Sequence, residues 1–258
     1  MSHLMYSNQD SLVTYDRLAA MPTPAPMGAF HRPVGFGDFL ELVKHRLDRA
    51  GITIEHEEYV LDETGQTFFG AMQLGVDGFS RPDMHITLGV RGSHNQKIPR
   101  GLCLGSQVIV CSNLCFNGDL ATMQTKQTKN IWSRLPDMVS RAVDQIPQMS
   151  QRENRRADAY HEFALPSRAG DAALVELHRR GALTASQIGR AVVEWDTPSF
   201  DEHAADGHTA WRLLQAVTEV QKPTGNNVNM DTVRQRTAVA TDFIDSFVGL
   251  DFDQRLAA

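Results

Sequence analysis

The stretch ITIEHEEYVLDETGQTFFGAMQLG, residues 52–75, decides the class of fold. Two runs rich in β-branched and aromatic residues flank Asp62-Glu-Thr-Gly65, and this pattern predicts two strands around a tight turn. Downstream, MHITLGV (84–90) alternates Ile86, Leu88 and Val90 with polar neighbours, and GLCLGSQVIVCSNLCF (101–116) supplies a denser apolar run suited to a buried strand. Upstream, FGDFLELVKHRLDRAG (36–51) repeats Phe36, Phe39, Leu40, Val43 and Leu47 at three- and four-residue intervals and stops at Gly51, the pattern of an amphipathic helix with a glycine end. TKQTKNIWSRLPDMVSRAVDQI (125–146) returns to helical spacing, with Pro136 expected to kink it or to open its second half.

Beyond Ser150 no segment reads as a strand. Five runs, beginning near Gln151, Asp171, Ala185, Thr209 and Thr232, read as helices separated by Pro, Gly or Asn. The expected fold is therefore α+β, an antiparallel sheet flanked by helices in the first half and a helical second half. Three regions follow: a proline-rich arm over 1–35, where Pro22, Pro24, Pro26 and Pro33 forbid regular structure; a helix, sheet and helix core over 36–150; and a helical region over 151–258.

The 258 residues are 41% hydrophobic and 22% charged, an ordinary globular composition with enough apolar residues for a sizeable core. No apolar run approaches a membrane span and the N-terminus lacks the pattern of a secretory signal, so the expectation is a cytoplasmic protein without membrane contact. Cys103, Cys111 and Cys115 are expected as reduced, buried thiols. Ligands at 111 and 115 on a strand would stand about 13 Å apart, too far to share one zinc ion without a bend.

The formal net charge of -6 disfavours a generally basic polyanion binder, but the charge is segregated. Gly89–Leu135 carries six basic residues and one acid, and Phe36–Gly65 carries three basic residues and eight acids. Such a division suits anion binding at one end or head-to-tail association into a homo-oligomer. The basic part contains the candidate site. Arg91, Ser93, His94, Asn95, Gln96, Lys97 and Arg100 place donors between two strands, and Lys126, Gln127, Thr128, Lys129 and Arg134 stand where the next helix starts, a set suited to phosphate contacts. Trp132 and Phe116 are its only aromatic residues available for base stacking.

Phosphate-loop, dinucleotide, metallopeptidase and hydrolase-elbow motifs do not occur, which removes the best sequence support for those chemistries. Asp201, His203, Asp206 and His208 form a second polar cluster that reads as a loop with helix-start residues around Thr209. LVELHRRGALTASQIGRAVVEW suggests a helix-turn-helix, but Ile188, Ala191, Val192 and Trp195 read as core and leave only Gln187 and Arg190 for base edges.

VRGSHNQKIPRGLCLGSQVIVCSNLCFNGD (90–119), TKQTKNIWSRL and VVEWDTPSFDEHAADGHTAWRLLQAVTEV resemble the DUF932 family of phage and plasmid proteins, over about Val34 to Gly225. The resemblance rests on Ser93-His94, on Val110-Cys111-Ser112-Asn113, on Thr128-Lys129 and on Trp211 to Glu219. It departs at Asn95, where that family often has an acid, and at Gln127, where it often has a histidine. What it implies is a mobile-element context with no agreed activity; no cofactor is expected, and no metal, given the spacing of the cysteines. On that footing the expected function is non-enzymatic nucleic-acid binding, with single-strand binding or annealing as its specific form. The alternative expectation is a protein-binding module acting on a host enzyme or defence factor. By fold analogy alone, the element order also resembles single-strand annealing proteins.

Overall fold

The computed structural model describes residues 12–81, 84–108, 114–115, 123–222 and 230–250. An antiparallel sheet fills the first half and helices fill the second, an α+β fold. Its central strands are β2 (Thr53–Leu61), β3 (Thr67–Gly75), β4 (Met84–Ser93) and β5 (Arg100–Val108), paired in sequence order. Before them, β1 (Leu12–Val13) pairs with Val60 and Tyr59. On the far side of β5, β6 (Leu114–Cys115) and β7 (Met123–Thr125) pair with opposite ends of the same strand.

The β2–β3 hairpin forms as the sequence predicts. Gly65 adopts φ +66°, which suits glycine, and the Asp62 carboxylate accepts the backbone N–H groups of Gln66 and Thr67 at 2.7 and 2.9 Å. Register then decides which side chains meet. Met72 and Leu74 pair with Leu88 and Ile86, and Leu88 and Val90 pair with Leu104 and Leu102, so with Phe68 on the same side one face of the sheet is apolar. That face is closed by α2 (Phe36–Arg49) and α3 (Ile131–Asp144), whose Phe36, Phe39, Leu40, Val43, Leu47, Leu135 and Val139 are fully buried. Helix α2 ends at Gly51 with φ +72°, where the N–H of Ile52 reaches back to the carbonyl of Leu47.

Pro136 lies inside α3 without ending it. The carbonyl it leaves without an intrahelical amide is that of Trp132, an exposed residue in the first turn. The break comes instead at Gln145, and α4 (Ile146–Glu162) starts with Pro147 in its first turn, a position where the missing N–H costs nothing.

The arm departs from the sequence-based expectation. Prolines exclude repetitive structure over 22–33, but β1 and the short helix α1 (Tyr15–Ala19) belong to the fold, and Leu18 and Val34 are fully buried. The chain from Pro22 to Gly35 is thus an extended strap, anchored on the core at its His31–Gly35 end. The boundary expected at 150 falls inside α4, which runs unbroken across Ser150. The apolar packing divides there nonetheless, into a sheet cluster reaching Met149 and a helical cluster that takes in residues from Ala157 onward together with Met84 of β4.

The helical half consists of α4, α5 (Ser167–Arg179), α6 (Ala185–Asp196), α7 (Asp201–Ala205), α8 (Ala210–Gln221) and α9 (Met230–Val248). Helix α8 is buried on nearly every side and forms its axis. Gln187 does not face outward as a recognition residue would, since its amide accepts the Thr184 N–H at 2.9 Å and donates to the Val220 carbonyl at 2.8 Å. Thr209 caps α8 as expected, accepting the Arg212 N–H at 3.3 Å. The Asp201–His208 stretch, expected as a loop, contains α7, with His203 buried against the fold. Among the described residues no helix is long and apolar enough to cross a membrane.

Candidate nucleic-acid interface

The basic segment supplies two kinds of residue that the sequence does not separate. Lys97, Lys126, Lys129 and Arg134 are exposed; Arg91 and Asn95 are half-buried; Ser93, His94 and Arg100 are buried. The last three are therefore corrected from surface contacts to interior residues. Strand register explains the division. Gly92 and Arg100 fall on the helix-facing side of the sheet with Phe68, whereas Arg91 points to the other side and donates to Gln124 Oε1 at 3.3 Å.

The buried residues shape the loop between β4 and β5. Ser93 Oγ accepts the Ile98 N–H at 2.9 Å and donates to the Ile98 carbonyl at 3.0 Å, closing the loop at its base. Asn95 Oδ1 accepts the Lys97 N–H at 3.1 Å, and Gln96 takes φ +62°, the one positive φ outside glycine among the described residues. His94 stacks on Phe36 with centroids 3.7 Å apart. Burial, with the nearby Arg100 charge, pushes its pKa down to about 4 against a hydrogen bond to the Val34 backbone, so the ring is neutral at pH 7. Burial likewise pushes Arg100 down to about 9, opposed by the Asp38 charge, which leaves the guanidinium charged.

Gln127 ties three pieces together. Its Oε1 accepts the Val34 N–H at 2.7 Å, its Nε2 donates to the Ser93 carbonyl at 2.9 Å, and its backbone carbonyl accepts the Arg32 N–H at 3.0 Å. This seats the strap between the loop and the start of α3. Phe30 consequently lies under the Lys129 ammonium, 4.5 Å from ring centre to nitrogen, and Met27 Sδ lies 3.2 Å from Gln96 Nε2.

The outcome is an exposed surface of mixed character. Phe30, Met27 and Trp132 are 73, 56 and 52% exposed, and Arg32, Lys97, Lys126, Lys129 and Arg134 are the cations contributed by the same three segments. The first turn of α3 carries no acid to neutralise its positive end. The nearest hairpin turn contributes Asp62, whose carboxylate is occupied by Thr64, Gln66 and Thr67, and an exposed Glu63. Sequence reasoning missed Phe30, Arg32 and Met27 because the prolines around them mark only a break in structure. The signal that was present is the Phe30-His31-Arg32 triplet, an aromatic beside a cation. Phe116 and Cys111 lie outside the described residues, and Cys103 is half-buried rather than buried.

A second polar cluster, unmarked in the sequence, joins the two halves. Arg156 donates through Nε and Nη2 to Asp245 at 3.0 and 2.8 Å and pairs with Glu153; Ser106 Oγ on β5 donates to Glu153 at 2.9 Å, and Tyr160 OH to Asp245 at 2.7 Å. The adjoining cleft, lined by Met84, Trp211, Leu214 and Thr241, has room for about one water. Its partners are mutually satisfied and its space is too small for a substrate, so the cluster is structural. Compared with protein-family models, curated proteins and solved structures, the chain matches none.

Proposed function

We propose that the chain binds nucleic acid as single strands, without catalysis, through the surface formed by the strap, the β4–β5 loop and the start of α3. The observation that carries this reading is the placement of two exposed aromatic rings, Phe30 and Trp132, among exposed lysines and arginines. Single-strand binders combine a cationic track for the backbone with rings on which unpaired bases stack. A duplex offers no free base faces, so the aromatics favour the unpaired form. Annealing of complementary strands and a phage or plasmid setting belong to the same proposal, supported by the resemblance of the Ser93-His94 and Trp211–Glu219 segments.

The test is binding of single-stranded and double-stranded oligonucleotides at two salt concentrations, with Lys97, Lys126 and Lys129 replaced by alanine singly and together. Each phosphate-contacting lysine removed is expected to lower the salt slope by about 0.7–1 and to weaken binding equally across sequences. Parent-like binding by the triple variant would reject the surface.

The protein-partner reading rests on a different observation. Glu55, Glu57 and Glu58 crowd β2, and β1 covers only its Tyr59–Val60 end, leaving the acidic part of that edge without a strand among the described residues. The basic segment borders the opposite end of the sheet at β5 and β7. A cationic partner, or the basic end of a second copy in a head-to-tail homo-oligomer, is the complement of that edge. Light scattering at low salt distinguishes a self-associating chain from a monomer.

A further inference from the structure

The strap covers a cation that the exposed surface does not use. Arg100 has no exposed area, and its one described hydrogen bond runs from Nη2 to the Val34 carbonyl. Its Nε and Nη1 are buried without a partner among the described residues. Phe36, Phe39 and Phe68 surround the guanidinium at 4.9, 5.9 and 5.9 Å, and no carboxylate forms an ion pair with it among the described residues. Gly92 makes room for it, since a Cβ there would stand 2.1 Å from Nη1. A dry, charged group with unmet donors is a poor device for stability, because burying an ion costs more than one carbonyl returns. His94, stacked beside it, hydrogen-bonds to the same Val34 backbone and keeps Nε2 buried without a partner.

We propose that the Val34 carbonyl oxygen holds the place of a phosphate oxygen, and that Arg100 with His94 forms a phosphate site uncovered when the strap lifts. The inference rests on the nucleic-acid reading insofar as a strand phosphate is the natural ligand. A phosphate would accept from the guanidinium fork at several nitrogens at once, where the carbonyl accepts from one. The strap carries no helix or strand over 20–30; nearer the site it is held by Gln127, which bonds Val34 and, by its backbone, Arg32, by the His31–Thr128 bridge and by the buried Val34 side chain, the contacts that lifting must break. Pro22, Pro24, Pro26 and Pro33 keep it extended in either position, which limits the entropy gained or lost on lifting. Lys126 and Lys129 flank Gln127 in the sequence and are exposed, and Lys129 lies over Phe30 of the strap.

The experiment is thermal melting and calorimetric titration of the full chain with inorganic phosphate, against chloride at equal ionic strength, for the parent, Arg100→Met and Gln127→Ala. Phosphate is expected to raise the parent's melting temperature and to speed exchange of the Val34 amide. Arg100→Met is expected to melt at or above the parent in chloride yet to lose about tenfold or more in phosphate affinity, the value of a charge-assisted hydrogen bond. Gln127→Ala, which frees the strap, is expected to bind phosphate more tightly; a merely structural role would weaken both variants alike. Should Arg100→Met fail to fold, Arg100→Lys keeps the charge without the fork and is expected to retain only part of the response. A phosphate response unchanged in either Arg100 variant, or Val34 protection unchanged by phosphate, overturns the site. Oligonucleotide binding by a parent that ignores phosphate refutes this site and leaves the surface reading standing, whereas a phosphate response without oligonucleotide binding does the reverse.

Discussion

Replacing Arg156 with methionine tests how the two halves of the molecule are joined. The Arg156, Glu153 and Asp245 side chains are 2, 4 and 9% exposed, so the pairings lie in the interior rather than at a wet surface. Methionine fills a similar volume, but it leaves two buried carboxylates without their shared cation. Glu153 keeps its Ser106 bond, Asp245 keeps its Tyr160 bond, and the Arg152 charge stays near both. Removing one member of a buried pair costs about 3–5 kcal/mol, and because a single cation serves both acids the two losses do not add. At about 2–4 °C per kcal/mol for a chain of this size, the melting temperature should fall by roughly 6–20 °C. Urea unfolding should show the midpoint falling with the slope unchanged. The triple replacement Glu153→Met, Arg156→Met, Asp245→Leu removes all three charges and should recover most of the loss, since apolar isosteres of buried ion networks are often neutral or stabilising. A single-variant loss below about 1 kcal/mol would refute the reasoning, because that is the value of a solvated pair.

Other outcomes follow from single contacts. His94 is neutral when folded and has its pKa pushed down to about 4, so below pH 6.5 the unfolded chain binds the extra proton. Its contribution is therefore fully present above pH 6.5 and is lost as the pH falls towards 4; urea midpoints across that window should fall less steeply for His94→Phe than for the parent. Gly170→Ala in α5 would place a Cβ 2.2 Å from the Trp195 ring. The gain of about 1 kcal/mol in helix propensity is smaller than the cost of about 1–3 kcal/mol or more for forcing a packed core, and the melting temperature should drop. Phe30→Ala should weaken single-strand affinity by about 1–3 kcal/mol, measured by anisotropy, while leaving the melting temperature unchanged, because the ring is exposed.

The helices and the hairpin were legible because their signals are local. Phe36 to Leu47 repeat on one helical face, Gly51 ends it, and Asp62 to Gly65 carry their own turn chemistry. The candidate surface was half legible. Lys126, Lys129 and Trp132 stand at a helix start that exposes them, whereas Arg100 looks like one more surface cation in a basic run. What buries it is the meeting of Gly92, Phe68 and the Val34–Phe36 stretch from three separate segments, and a long-range contact of that kind leaves no period in the sequence. The same holds for Gln127, whose amide reaches a residue 93 positions away. The strap was hidden for a further reason, since proline marks where repetitive structure stops but not where the extended chain comes to rest. In the Arg156 network, Glu153 and Arg156 sit one helical turn apart in a sequence rich in charge, and only the packing of α9 turns them inward.

Tryptophan emission during titration with a single-stranded oligonucleotide tests the central claim most directly. Of the three tryptophans, Trp195 and Trp211 are 0 and 3% exposed while Trp132 is 52% exposed, so the component quenched by acrylamide reports on the proposed surface. The account predicts that the oligonucleotide quenches this component and shields it from acrylamide, that the midpoint moves to higher concentration with added salt, and that Trp132→Phe removes the signal but retains binding by anisotropy. Emission and acrylamide access unchanged at saturating oligonucleotide and low salt would contradict it.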